Sequence, residues 1–325
     1  MTAVAVSVTV GALSAGCSAP SLLITPVTSS RRLVETELSR DSLLSLSKIA
    51  VIDVTGLILN APKPQLLGKG EHPVSVLLEQ LDKARKDPWV KGLVLRINSP
   101  GGSVTASELM HAEIMRFKQS GKPIKAVMMD VAASGGYYIA CACDEIIAHR
   151  STVTGSIGVI MQLFDLSGTM QKIGLRSNAI TSGVHKDTAS PFRPMRPEER
   201  ELLQAIVNDM YEQFIRVVAA GRPGIDEAEV RRLADGRVYL APKALDAGLI
   251  DRIGTLPEVI QDLKREIGAR GVRVVMYHRP AEYRPNYYAA TPHARLADIN
   301  FFKVDFPNML QTAQPRFMYV WTPGG

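Results

Sequence analysis

Ser134 is the residue in this chain best placed to do covalent chemistry. It lies in Ala133-Ser134-Gly135-Gly136-Tyr137-Tyr138, after an aliphatic run and before an apolar helical stretch through Ile139, Ala140 and Cys141. A serine on a tight strand-to-helix turn exposes its hydroxyl, and the N–H that follows it can face the carbonyl oxygen under attack. That arrangement suits acyl transfer. The same residues also suit a plain helix cap, with the glycines present only for close packing. A second glycine loop, Asn98-Ser99-Pro100-Gly101-Gly102-Ser103, sits where another buried strand gives way to a helix. Backbone N–H groups there could stabilise an oxyanion, although Pro-Gly-Gly is also an ordinary turn.

A hydroxyl nucleophile needs a base, because unaided serine is scarcely ionised near neutral pH. His149 ends a strand pattern, His111 falls on a helix pattern, and His72, His278 and His293 stand in segments with no other site signal. The polar segment Thr181 to Pro191 differs, since it sets His185 beside Lys186 in a loop punctuated by Gly183 and Pro191. Lys186 serves as a base only when neutral, and burial is what lowers a lysine pKa. In water it is simply a solvated surface lysine.

The elements that must hold these groups follow from hydrophobic periodicity. Lys48 to Val54, Gly92 to Ile97 and Ile124 to Met129 are short aliphatic runs of the kind found in buried parallel strands. Val74 to Lys86 and Ser103 to Lys118 carry helical spacing between them, the second with Ser103 as cap. Repeated strand-helix units imply an α/β fold with a parallel sheet covered by helices. Further along, Leu203, Ile206, Val207, Met210, Phe214, Val217 and Val218 recur three or four residues apart, giving a long amphipathic helix over Glu199 to Ala220.

Composition narrows the function classes. The chain has 325 residues, 46% of them hydrophobic, enough for one large core with appendages. Its net charge of +6 is dispersed, without a basic run to follow a phosphate backbone, so nucleic acid is not expected as a partner. Cys17, Cys141 and Cys143 have neither zinc-site nor disulfide-framework spacing, and no metal or cofactor is called for. Cys141 and Cys143 read as packed inside. Met1 to Gly16 is uncharged and apolar and runs into Leu13-Ser14-Ala15-Gly16-Cys17. It resembles a lipoprotein leader that would lipidate Cys17 and attach an exported protein to a membrane, but it lacks the basic start of such leaders.

Five ordered motifs together resemble the signal peptide peptidase A (protease IV) family. They are Asn98 to Gly102, Ala133 to Tyr138, Thr154 to Val159, Ser182 to Pro191 and Gly236 to Tyr239, within a span from Lys48 to Gly268. The resemblance implies a crotonase/Clp protease-like core with helical C-terminal elements. It also implies that Ser134 is the nucleophile and Lys186 the base, with Gly101 as an oxyanion donor; Gly135 is expected as the second donor because it directly follows the serine. The expected organisation is a leader and linker over 1–30, a peptidase domain over 48–268 and an extension over 269–325. The aromatic residues of that extension, Tyr287-Tyr288 and Phe317 to Trp321, suggest docking on a body or a neighbour.

Three readings follow: an exported, membrane-associated serine peptidase acting on peptides such as signal-peptide remnants, a crotonase-type acyl-CoA enzyme, and a non-catalytic scaffold. The peptidase reading uses both Ser134 and Lys186. A lysine in a polar loop has to be dried by something, so the chain is expected to form a homo-oligomer in which Lys186 reaches Ser134 near a subunit interface.

Overall fold

A computed structural model describes residues 32–62, 71–279 and 317–322. The leader over 1–30 with Cys17, and His293 and Tyr287-Tyr288, lie outside the described residues. The chain opens with strands β1 (Val34–Arg40) and β2 (Ser47–Thr55), followed by helix α1 (Pro73–Lys86) and strand β3 (Val90–Ser99). A short strand β4 (Gly101–Ser103) leads into α2 (Val104–Lys118), then β5 (Ile124–Ala133), α3 (Gly135–Ala140), β6 (Glu145–Ala148), β7 (Val153–Gly155) and β8 (Ile160–Met161). Helices α4 (Ser167–Lys172), α5 (Pro197–Gly221) and α6 (Glu227–Leu233) precede β9 (Val238–Leu240), α7 (Ala241–Asp246), β10 (Arg252–Ile253), α8 (Leu256–Glu266), β11 (Val272–His278) and β12 (Phe317–Val320).

The main sheet has the order β1-β11-β2-β3-β5-β6-β10, parallel from β11 to β10, with β1 antiparallel on its edge. All three strands read from aliphatic runs are present, and their residues are buried on both faces because helices cover both. Ala50, Ile52, Leu93, Leu95 and Ala126 pack with α1, α2, α3 and α5, while Ile49, Val51, Val94 and Val127 pack against Leu256, Val259, Ile260 and Leu263 of α8. Helix α8 starts with a Thr255/Glu258 capping box that satisfies its first N–H groups. Two features matter for the site. The end of β5 leaves β6 and pairs with β7, which in turn pairs with β9. Separately, β4, β12 and β8 form a small antiparallel sheet above the carboxyl ends of the main strands.

Helix α5 covers the stripe expected over Glu199 to Ala220, but its apolar face divides. Phe214, Ile215 and Val218 are buried in the core, whereas Leu203, Ile206 and Val207 are only half-buried. Cys141 and Cys143 are buried free thiols. Burial pushes the Cys141 thiol up to about 12, so neither is chemically active near neutral pH. Among the described residues no helix is long and apolar enough to cross a membrane.

Candidate active site

Ser134 closes β5 and opens α3. Its carbonyl accepts the first helical bond, from Tyr138 N–H at 2.8 Å, so it occupies the cap position. It does not cap: its side chain makes no capping bond, and its backbone sits at φ 54°, ψ −116°. That region is costly for any residue with a Cβ, by roughly 1–3 kcal/mol, and is held here by surrounding structure. The Ser134 N–H donates to the Gly155 carbonyl at 2.7 Å. Gly155 (φ 82°) admits no side chain, because a Cβ would meet the Tyr239 ring at 2.6 Å, and Ser156 N–H donates to the Arg237 carbonyl at 2.7 Å. The Thr154-Gly155-Ser156 and Gly236 to Tyr239 motifs thus brace the elbow from behind. The Ser134 hydroxyl is buried and has no hydrogen-bond partner among the described residues.

The Asn98 to Gly102 turn comes up beside it. Asn98 Nδ2 donates to Asp130, its Oδ1 accepts from Val131 N–H at 3.1 Å, and Ser99 Oγ donates to the Gly56 carbonyl at 2.7 Å. Gly101 (φ 99°) then passes so close to α3 that a Cβ would lie 2.7 Å from the Gly135 nitrogen. Gly101, Ser134 and Gly135 therefore converge as the spacing suggested. Gly101's own N–H is directed elsewhere, to Ser99 Oγ at 3.1 Å. Gly102 is the one that faces β12, since the Gly101 carbonyl and the Ser103 N–H bond Ile58 on the other side. Two adjacent glycines cannot reveal this from spacing; only the Ser99 contact does.

Lys186 is exposed, and the unpartnered Ser134 hydroxyl means that its Nζ does not reach the serine within this chain. Nor does any described histidine. His111 leans edge-on against Tyr138 at 5.2 Å, and its pKa falls to about 4 through burial, leaving it a neutral packing group. The loop carrying Lys186 is nonetheless held in shape. Arg193 donates to Asp187 at 2.7 Å and Arg196 donates to it at 3.0 Å, while both arginines also bind the buried Glu199 at the start of α5. These guanidinium groups hold the carboxyl of Glu199 well below its usual range. Asp187 thus serves as the anchor next to Lys186.

Comparisons with known proteins agree with the arrangement. Residues 116–270 match the model of peptidase family S49. An Enterococcus faecium protein described as a signal peptide peptidase SppA is 36% identical over 233 residues, which is 72% of this chain and 67% of that one. The chain belongs to peptidase family S49. Within this signal peptide peptidase A family it is also similar to Protease 4 of Haemophilus influenzae, at 33% identity over 69% of this chain and 35% of that one. The chloroplastic serine protease SPPA of Arabidopsis thaliana is 34% identical over 74% of this chain and 36% of its own length. An S49 member is a serine peptidase with a Clp protease-like fold, which accounts for the mostly parallel sheet and its helices.

Proposed function

We propose that this S49 peptidase hydrolyses peptide bonds through Ser134 as nucleophile and Lys186 as base, the two supplied by adjacent copies of the chain. The observation that carries the reading is Ser134 itself: a strained, uncapped serine with a free hydroxyl, directly before the Gly135 N–H. Attack by Oγ on a substrate carbonyl transfers its proton to neutral Lys186, and the oxyanion is met by backbone donors. We assign these to Gly135 and Gly102, with Gly101 contributing the close passage that only a glycine at φ 99° allows. Collapse of the adduct releases the amine, which takes the proton from Lys186. Water then hydrolyses the acyl-serine by the same route.

The shared site is supported by what lies around Lys186. Helix α4 has no buried residue, and apolar side chains nearby are bare, Ile173 at 66%, Ile180 at 103% and Val184 at 70% exposure. A second copy laid over this stretch would remove that surface from water and dry the lysine. Export and attachment to the outer face of a membrane through Cys17 fit the apolar leader, and exported or membrane-associated peptides, signal-peptide remnants among them, are the matching substrates. The deciding test is labelling with a serine-reactive phosphonate or a peptide aldehyde. Modification of wild type but not of Ser134→Ala is expected; acyl-CoA turnover without labelling would overturn the peptidase reading.

A further inference from the structure

Glu199 stands in the first turn of α5, where a glutamate ordinarily faces water, yet only 1% of its side chain is exposed. Taking a carboxylate out of water is costly unless it is paired and hydrogen-bonded. Here it is both. Arg193 Nη1 donates to Oε2 at 2.9 Å and Arg196 Nε donates to Oε1 at 3.0 Å, each guanidinium places a second N–H on Oε1, and Oε2 also accepts the Arg196 backbone N–H at 3.1 Å. A helix cap needs only the last of these bonds. The four from the guanidinium groups go further.

The same two arginines hold the chain on both sides of Lys186. Arg196 Nη2 donates to the Val184 carbonyl at 2.6 Å, and Arg193 Nη2 donates to the Asp187 carbonyl at 3.0 Å. The Asp187 carboxylate takes one more bond from each, at 2.7 and 3.0 Å. Between these points Lys186 N–H donates to the Gly183 carbonyl at 3.1 Å and Thr188 N–H to the His185 carbonyl at 3.2 Å. A planar guanidinium fixes direction as well as distance, so the backbone from which Lys186 projects is set by what holds the arginines. Helix α5 connects that anchor to the core. Its second half is buried through Phe214, Ile215 and Val218, and Phe214 meets Tyr138 of α3 edge-on at 5.1 Å. Glu199 lies about 22 Å from Phe214 along the helix axis. The helix is the rigid arm between the core and the base.

We propose that Glu199 positions the general base: through Arg193, Arg196 and Asp187 it fixes the stretch of backbone that presents Lys186 to the serine of the adjacent copy. The inference rests on the peptidase reading above and adds a residue that acts through the lysine. Proton transfer requires a base within hydrogen-bond reach, and a displacement of about 1 Å costs on the order of a hundredfold in rate. Because the cluster acts on the base, its loss falls on kcat and leaves KM in place.

Two variants test this. Glu199→Gln keeps the volume and removes the buried charge, and Asp187→Asn does the same at a half-buried position one link nearer the lysine. With the fold checked by circular dichroism, each should lower kcat on labelled casein roughly 10- to 100-fold with KM within about twofold. Mixed assemblies separate positioning of the base from general damage, with Ser134→Ala plus Lys186→Ala as the control. Glu199→Gln mixed with Ser134→Ala should regain roughly a quarter of wild-type turnover, because the intact serine of one chain meets the intact lysine loop of the other; mixed with Lys186→Ala it should gain nothing. If Glu199→Gln does not fold, Asp187→Asn takes its place in both mixtures. Any recovery with Lys186→Ala, or none with Ser134→Ala while the control recovers, overturns the proposal, since the damage then lies at the serine or in the whole protomer. If the control co-assembles and stays inactive, the shared site fails and the kinetics decide alone: an unchanged kcat or a raised KM overturns the role of Glu199. A wild type that neither hydrolyses casein nor labels at Ser134 overturns the peptidase reading, and this inference with it.

Discussion

The backbone at Ser134 should yield stability when its constraint is released. Serine and alanine both carry a Cβ and both bear the cost of φ 54°, ψ −116°, roughly 1–3 kcal/mol. Glycine bears none of it, since the mirror image of the extended region is open to it, but loses about 0.5–1 kcal/mol more chain entropy on folding. Ser134→Gly should therefore exceed Ser134→Ala in stability by about 1–2 kcal/mol, a few degrees in Tm for a domain of this size. The comparison between the two variants is chosen because both lack the hydroxyl. Whether that hydroxyl is unpartnered or bound to a neighbour's Lys186 cancels between them. Urea unfolding and calorimetry at matched protein concentration give the difference. A Ser134→Gly variant equal to or less stable than Ser134→Ala would refute the idea that the elbow is strained.

Further outcomes are expected. Lys186→Ala and Lys186→Arg should both abolish peptide turnover, since a guanidinium cannot deprotonate, while His185→Ala should be mild; the reverse pattern would make histidine the base. Mixing inactive Ser134→Ala with inactive Lys186→Ala should restore activity, with roughly a quarter of shared sites intact on random pairing in a closed ring; co-assembled but inactive hybrids would place both groups within one protomer. Gly101→Val should lower turnover on the order of a hundredfold by pushing the turn away from Gly135, about 2.7–4 kcal/mol if one oxyanion contact is lost, with the fold checked by circular dichroism. His111 adds a pH dependence. Its folded pKa of about 4 lies below its ordinary 6.5, so the unfolded chain binds the proton more tightly. Stability from this group is complete above about pH 6.5 and is lost as pH falls toward 4. Denaturation of His111→Phe at pH 4.5 and 7 should show a smaller acid loss than wild type.

The strands around the site were readable because both faces of the sheet are covered, which makes β2, β3 and β5 continuous aliphatic runs. Ser134 was readable as a candidate from its strand-turn-helix setting, but its choice between cap and nucleophile depends on a φ that serine does not announce. The direction of the Gly102 backbone toward β12 was not legible for a related reason. Whether Gly101 or Gly102 directs its N–H outward is decided by Ser99 Oγ, a contact made through a turn and not by residue type. The stripe on α5 was read as one face, yet only its second half meets the core, since periodicity does not say where a partner ends. Phe317 to Trp321 signalled docking through aromatic content, but no local pattern says that the dock is β4 and β8, the first of them the glycine turn beside α3.

The brace behind Ser134 also sets an order of assembly. The serine's N–H is anchored by Gly155, and the flanking Gly155-Ser156 turn is held in place by Arg237 and Tyr239, some eighty residues beyond that turn. A ribosome that has delivered β5 and α3 has delivered the sequence of the Ser134 elbow without the contacts that hold its shape. Only when β9 has emerged and paired with β7 can the elbow lock. On the proposed role of Ser134, hydrolytic capacity arrives late in synthesis, as a property of tertiary closure.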